Sequence, residues 1–190
     1  MRTKFFTGKG DAGESDVDGR KISKLNPAVQ FLGALDELNS WVGFVKAGAK
    51  LFVKTGKIEV AAELHQIQES LFVIQAETAK NAFGYEKGPV LGEEKVKELE
   101  ALIAVIDAEL PPLKKFVIPG GSELSARLDL ARAMARRTER NAKEYGEKDG
   151  VVLSPVIFQY LNRLSSVLFA LARYANYMLG EKEEHPKYYH

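Results

Sequence analysis

The chain has 190 residues, a formal net charge of +1 and 28% charged residues, which argues against a generally basic nucleic-acid binder. It contains no cysteine, which excludes disulfides and thiolate metal or redox chemistry. Neither a membrane-spanning apolar run nor a signal-peptide core is found, so we expect a soluble, cytoplasmic protein without a membrane partner. No Pro, Gly or Ser-rich linker divides the sequence, which predicts a single domain.

Apolar residues recur at helical spacing after a polar, glycine-rich opening that ends near Asn26. Turn residues separate the blocks, and we place the first break between Gly48 and Gly56. Strand-like alternation is nearly absent, so the pattern predicts an all-α, up-down bundle of five helices with a shorter third helix. The blocks cover roughly 27–48, 58–82, 92–109, 121–146 and 153–179. Sustained stripes predicted as core are Leu64, Ile67, Leu71 and Ile74, and Leu161, Leu164, Leu168 and Leu171.

The opening TGKGDAGES, Thr7 to Ser15, carries three glycines and small hydroxyl residues, as a backbone nest for phosphate requires. Gly8 and Gly13 have the spacing of a P-loop, but Glu14 stands where that motif needs Lys, and no preceding strand is indicated. This pattern argues against a Walker-type NTPase. The alternative interpretation is a flexible N-terminal segment.

In the first helix, the motif GALDELNSWVG places Asp36 and Glu37 beside an apolar stripe. We expect at least one of these carboxylates to point inward, where it needs an arginine partner. The arginines of the fourth block are the obvious supply, which would tie the first and fourth helices together.

Three arginines in the fourth block, Arg132, Arg136 and Arg140, lie on one stripe of a helix. Interleaved apolar residues indicate that much of this helix is packed, and partly buried arginines need anions. One interpretation is an anion site; the other is an internal salt-bridge network with Asp129, Glu139 and a carboxylate on another helix.

The turn Gly120, Gly121, Ser122 opens the same helix, where Ser can cap backbone N–H groups and the helix dipole favours negative charge. In the fifth block, Asn162 suits an adenine edge or ribose as well as a helix-to-helix hydrogen bond. A di-metal bundle needs paired Glu-x-x-His motifs, and none occurs; His65 is the only histidine outside the tail. We therefore expect no metal centre built from Cys or His.

Together the opening TGKGDAGES, GALDELNSWVG, FVIPGGS with ARAMARRTER, and YLNRLSSVLFALARYAN resemble the PduO-type ATP:cob(I)alamin adenosyltransferases, in collinear order over nearly the whole chain. The resemblance implies a homotrimeric five-helix bundle with active sites between subunits. It divides the single domain into an ATP-binding segment, 1–26, a bundle, 27–180, and a tail, 181–190, whose role is unreadable.

The resemblance also implies roles for individual residues. The corrinoid side would use Asp36 and Arg132 as a pair between subunits and Phe116 at the lower face of the corrin. Phe116, Arg132, Arg136 and Asp36 would carry the catalysis. The ATP site would be formed by Thr7, Gly8, Lys9, Gly10, Gly13, Ser15 and Lys24 with Arg136, Arg137, Glu139, Arg140 and Asn162 of the neighbouring subunit.

In the implied reaction, Co(I) of cob(I)alamin attacks the 5′ carbon of ATP, and inorganic triphosphate leaves. Arginines and Mg²⁺, held mainly by the triphosphate, would stabilise the leaving group, while Phe116 would displace the lower ligand of cob(II)alamin. A cob(II)alamin reductase would be a partner, and an adenosylcobalamin-dependent mutase would be a client. Alternatives are an ATP or corrinoid sensor or carrier without transferase activity, and a purely structural helical assembly.

Four positions depart from the family pattern. Lys9 stands where the opening loop usually has Thr, and Ala12 where Lys or Asp is common, so phosphate contacts would be redistributed. Ser166 and Val167 occupy positions that are Asp and Tyr in many members, so we expect the corrinoid contacts to differ.

Overall fold

Five α-helices make up the bundle in the part of the chain that the structure describes. The computed structural model describes residues 5–17, 19–52, 57–148 and 153–188. The helices are α1 (Pro27–Phe52), α2 (Val60–Phe83), α3 (Glu93–Glu109), α4 (Glu123–Lys148) and α5 (Pro155–Leu179). The all-α prediction is confirmed, with α3 the shortest of the five. No helix in these described ranges combines the length and the apolar character needed to cross a membrane.

The first helix runs past Gly48, which we had placed at its end, so that boundary is wrong. Gly48 has a packing role instead. A Cβ at this position would lie 2.6 Å from Nη1 of Arg127, so the absence of a side chain lets the guanidinium of α4 cross the backbone of α1. Gly56 lies outside the described residues.

Contacts between the helices fix their directions. Along α1, Ala34 meets Thr138 of α4 and Gly48 meets Arg127, so the two helices run antiparallel. Pairs of hydrogen bonds between the other helices give their directions in the same way. Helix α2 is antiparallel to α1, and α5 is antiparallel to α4. Helix α3 runs parallel to α5. The packing order across the bundle is α2, α1, α4, α5, α3. The topology is therefore up-down along the whole chain, as the short connections predict.

The predicted leucine and isoleucine stripes of α2 and α5 are all buried, with exposed fractions of 2% or less. They pack with Phe31, Leu35, Leu38 and Val42 of α1 and with Leu124, Leu128, Ala131 and Ala135 of α4. Leu130 is 47% exposed, so the packing expected of α4 holds for one of its faces only.

A short antiparallel hairpin precedes the bundle and was not predicted. Its strands are β1 (Glu14–Val17) and β2 (Arg20–Ser23), paired so that Ser15 faces Ile22. Gly19, just before β2, has a φ of 78°, in the region that favours glycine. The strands are only four residues long, and none of their residues is fully buried, so no apolar alternation marks them.

Candidate active site

A cavity of about 390 Å³ lies where the α3–α4 loop meets the start of α4 and the second half of α5. Phe116 lines this cavity, and 77% of its surface is exposed. The side chains around it are apolar on the loop side and cationic on the α4 side. The lining residues include Leu113, Phe116, Val117, Ile118, Asp129, Arg132, Arg136, Ser166, Phe169 and Arg173.

Arg132 is held inside this cavity by its own helix. Its Nε donates to Oδ1 of Asp129 at 2.8 Å, and the other carboxylate oxygen of Asp129 accepts from the backbone N–H of Gly120 at 3.2 Å. Asp129 thus links the arginine to the turn that precedes α4. The internal ion pair that we weighed against an anion site is present for Arg132.

Asn176 holds the Gly120–Ser122 turn against α5. Its Oδ1 accepts from both the backbone N–H and the Oγ of Ser122 at 2.9 Å, and its Nδ2 donates to the carbonyl of Gly120 at 2.8 Å. Ser122 caps α4, since its Oγ accepts from the N–H of Ser125 at 3.2 Å. The backbone donors of Gly120 and Ser122 are therefore occupied within the protein, and the turn serves structure more than the anion binding that we had considered.

Arg173 is an almost buried cation that the sequence analysis did not single out. Its side chain is 8% exposed and is paired with Glu183 of the tail, at 2.5 Å from Nε to Oε1. Its Nη2 also donates to the carbonyl of Pro111 at 3.0 Å. Arg173 lies on α5, one turn before Asn176. Its role could not be predicted, because nothing in the sequence marks Glu183 as its partner.

Beyond Arg132, the α4 stripe turns outward and presents free cations. Arg136 and Arg140 are exposed, and neither forms an ion pair within the described ranges. A planar guanidinium without a carboxylate partner is well suited to phosphate. Arg136 lines the cavity beside Arg132, so the cavity and this cationic surface are continuous.

Three further predicted residues lie on or near this surface but are already paired. Arg137 donates to Glu37 of α1, and both side chains are 45% exposed. Nδ2 of Asn162 donates to Oε1 of Glu139 at 2.9 Å, which links α5 to α4. An exposed pair of this kind is weak and can be exchanged for a ligand contact.

The expectation that Asp36 or Glu37 points into the core is wrong. Leu35 and Leu38 fill the inward face of α1, and the residues between them lie on the outer side because each helical residue turns the chain by about 100°. Both carboxylates are exposed. The link between α1 and α4 exists, but Glu37 makes it; Asp36 forms no ion pair with any residue in the described ranges.

The glycine-rich opening forms a compact turn followed by the hairpin. Gly8 and Gly13 have φ values of 72° and 81°, in the region that favours glycine. The N–H of Gly13 donates to the carbonyl of Gly10 at 3.1 Å, and Nζ of Lys24 donates to the same carbonyl at 3.0 Å. The predicted phosphate-binding residues are therefore gathered in one segment, with Ser15 on β1 and Thr7 accepting a weak 3.4 Å hydrogen bond from the N–H of Lys9.

Lys9, one of the departures from the family pattern, is paired with Asp16 at 2.8 Å. The hydrogen bond from Lys9, and then that from the N–H of Gly19, lowers the pKa of Asp16 from its ordinary value. Lys9 therefore forms an ion pair within its own segment. Ala12, the other departure in this segment, is exposed.

The cavity and the opening segment lie toward opposite ends of α4. Phe31, near the start of α1, stacks on Tyr145 near the end of α4, and Arg20 of β2 donates to the carbonyl of Phe83 at the end of α2. The cavity instead adjoins Gly120, just before α4 begins. One chain thus carries two separated halves of the predicted site.

At the two departures on α5, only Ser166 is on the cavity surface. It is exposed and lines the cavity, whereas Val167 is fully buried in the core. Across the described ranges, no group of three or more His, Cys, Asp or Glu side chains is arranged to hold a metal ion.

Residues 5–175 match the family described as cobalamin adenosyltransferase. The corrinoid adenosyltransferase of Bacillus subtilis (strain 168) is 37% identical over 177 residues, which cover 93% of this chain and 89% of that protein. The corrinoid adenosyltransferase MMAB of Mus musculus is 34% identical over 195 residues, which cover 95% and 76%.

Among solved structures, a variant PduO-type ATP:corrinoid adenosyltransferase from Lactobacillus reuteri, complexed with cobalamin and ATP, matches this fold with a TM-score of 0.86. The two sequences are 31% identical, and the match covers 97% of each chain. The resemblance seen in the four collinear motifs is therefore confirmed over nearly the full length. The chain belongs to the cobalamin adenosyltransferase family.

Proposed function

We propose that this protein transfers the 5′-deoxyadenosyl group of ATP to the Co(I) of cob(I)alamin, forming adenosylcobalamin and releasing inorganic triphosphate. The observation that carries the proposal is the cavity where exposed Phe116 faces Arg132 and Arg136. It offers an apolar surface for a macrocycle next to the guanidinium of Arg136, which has no ion-pair partner among the described residues and is free to bind a polyphosphate. The family relatives are named for this same activity.

The chain's own residues supply position and charge. Arg136 and Arg140 bind and stabilise the triphosphate as negative charge develops on it, because guanidinium groups placed in advance need no reorganisation during the reaction. Phe116 presents an apolar face to the lower side of the corrin and excludes water from the cobalt. Attack at the 5′ carbon needs no proton transfer, so the site requires no general base.

We place the active site between subunits of a homotrimer. The opening segment and the cavity lie toward opposite ends of α4 in one chain, so a site containing both needs a second copy. Asp36 is exposed and has no ion-pair partner in the described part of the chain, consistent with pairing to Arg132 of a neighbour. An apolar recess on α1 beside Trp41 and the 48% exposed Phe44 is a further surface that assembly would cover.

Mg²⁺ completes the proposed ATP site. The cationic side chains proposed for this site, Lys9, Lys24 and the arginines of the α4 stripe, do not bind metal ions. Mg²⁺ prefers oxygen ligands and usually enters with substrate phosphates, so the triphosphate would hold it. We also propose a cytoplasmic setting, a separate reductase that supplies Co(I), and a mutase that uses the product.

Arg136→Ala tests the assignment of the ATP side. We expect ATP binding and turnover to fail while the helical content and the thermal midpoint stay close to wild type, since Arg136 is exposed. Lys143→Ala is the matched control, because Lys143 is an exposed cation on the same helix whose one ion pair among the described residues is with Glu147. Wild-type turnover by the Arg136 variant would refute the assignment.

Phe116→Ala separates a transferase from a sensor or carrier. A transferase needs the aromatic at the corrin, so the variant should bind ATP normally and lose cobalt reduction and adenosyl transfer. Unchanged cobalt reduction in this variant would favour a binding module.

A further inference from the structure

The segment after α5 lies against the loop that carries Phe116. Three consecutive residues each make one contact: Glu183 pairs with Arg173, the carbonyl of Glu184 accepts from the N–H of Ile118 at 2.8 Å, and Nδ1 of His185 lies 2.9 Å from the carbonyl of Phe116. A carbonyl oxygen only accepts, so His185 is the donor. The sequence left this tail without a role.

Arg173 anchors the tail to the helical bundle. It is nearly buried in α5 and holds both Glu183 in the tail and the carbonyl of Pro111 where the loop begins. The tail is therefore pinned to the bundle one residue before it reaches the loop. A shared arginine fixes the tail and the loop entrance relative to each other.

The loop needs such support because its own residues bury little. Residues 111–116 are all exposed and belong to no helix or strand, and Phe116 itself is 77% exposed. A loop with few buried contacts samples several conformations unless hydrogen bonds hold it. The tail supplies two such bonds, on either side of Val117.

We propose that residues 183–185 form a strap that positions Phe116 for the corrinoid, with His185 as a positioning residue. The inference rests on the proposed function for what Phe116 does, and on the contacts above for how it is held. His185 acts through the Phe116 carbonyl and does not touch the reacting atoms. Its loss should therefore weaken the corrinoid side of the reaction and leave the ATP side unchanged.

The test compares three single variants of the full chain. His185→Ala removes the donor to Phe116. His185→Asn restores an N–H donor close to the position of Nδ1. Glu184→Ala is the matched control, because the hydrogen bond that Glu184 forms with the described part of the loop uses its backbone carbonyl, which alanine keeps.

Hydrogen exchange of the Ile118 amide in the ligand-free protein is the first measurement. Loss of one hydrogen bond in the strap should speed exchange roughly two- to tenfold in His185→Ala. We expect exchange in His185→Asn and Glu184→Ala to stay within about twofold of wild type on the same reasoning. Equal exchange in all four proteins would overturn the strap.

Steady-state kinetics provide the second measurement. His185→Ala should raise KM for cob(I)alamin or lower kcat by roughly two- to tenfold, with KM for ATP unchanged and partial rescue in His185→Asn. Equal losses on both substrates would mean a general structural defect and would overturn the positioning role. If wild type shows no turnover, the proposed function fails, and the exchange measurement still decides whether the tail orders the loop.

Discussion

The polar contacts of Asn176 give a sharp prediction about how the cavity is built. Its side chain is 4% exposed and satisfies the carbonyl of Gly120 as well as the N–H and hydroxyl of Ser122. Asn176→Ala leaves a carbonyl and an N–H without partners in a partly buried turn. Each unsatisfied group costs about 1–3 kcal/mol when it is buried, and because Gly120 and Ser122 are only partly buried we take the lower part of the summed range, so the free energy of unfolding should fall by about 2–4 kcal/mol.

Urea denaturation followed by circular dichroism measures this loss. For a chain of this length we expect the thermal midpoint to fall by about 5–15 °C in parallel. Asn162→Ala is the matched control on the same helix, because Asn162 is exposed and should cost under about 0.5 kcal/mol. A loss in Asn176→Ala no larger than in the control would refute the role assigned to Asn176.

Three further predictions concern single residues. Gly121→Ala should destabilise the protein more than Gly180→Ala, although both glycines have positive φ. A Cβ at Gly121 would lie 2.7 Å from Nδ2 of Asn176, whereas the space at Gly180 is open. Urea denaturation of both variants measures the difference. Lys9→Met should raise the pKa of Asp16 toward its ordinary value, and an NMR titration of the carboxyl detects the change. Because folding lowers this pKa, the stability contributed by ionised Asp16 is present above about pH 4 and is lost as the pH falls. An unchanged pKa in the variant would contradict the ion pair. Burial raises the pKa of Glu63, so ionisation of this carboxyl disfavours folding once the pH rises through the ordinary pKa of 4.5. Glu63→Gln should therefore stabilise the protein at pH 7 but not at pH 4. Equal effects on stability at both pH values would contradict this.

The bundle was predictable because its signal is local and repeated. Every predicted residue of the α2 and α5 stripes is in the core, since apolar spacing records directly which face of a helix is buried. The hairpin was missed because Glu14–Val17 and Arg20–Ser23 bury too little to impose alternation. Gly48 misled because a glycine at a helix crossing looks the same in sequence as a glycine at a helix end.

For the site, the sequence identified residue types but not their orientation. Phe116, Arg132 and Arg136 do meet at one cavity, although they come from a loop and two turns of α4. At least one of Asp36 and Glu37 was expected to point inward, and the structure puts both outside, because Leu35 and Leu38 occupy the inward face of α1. Asn176 contacts residues 120–122 and Arg173 contacts Glu183. These partners lie too far away in the sequence for a local pattern to predict the contacts.

The most direct test of the central claim is turnover. Purified protein is mixed under anaerobic conditions with chemically reduced cob(I)alamin, ATP and Mg²⁺, the loss of Co(I) absorbance is followed, and the products are identified. We predict formation of adenosylcobalamin together with inorganic triphosphate. Saturable ATP binding without either product would contradict the account and move the protein to the sensor or carrier class.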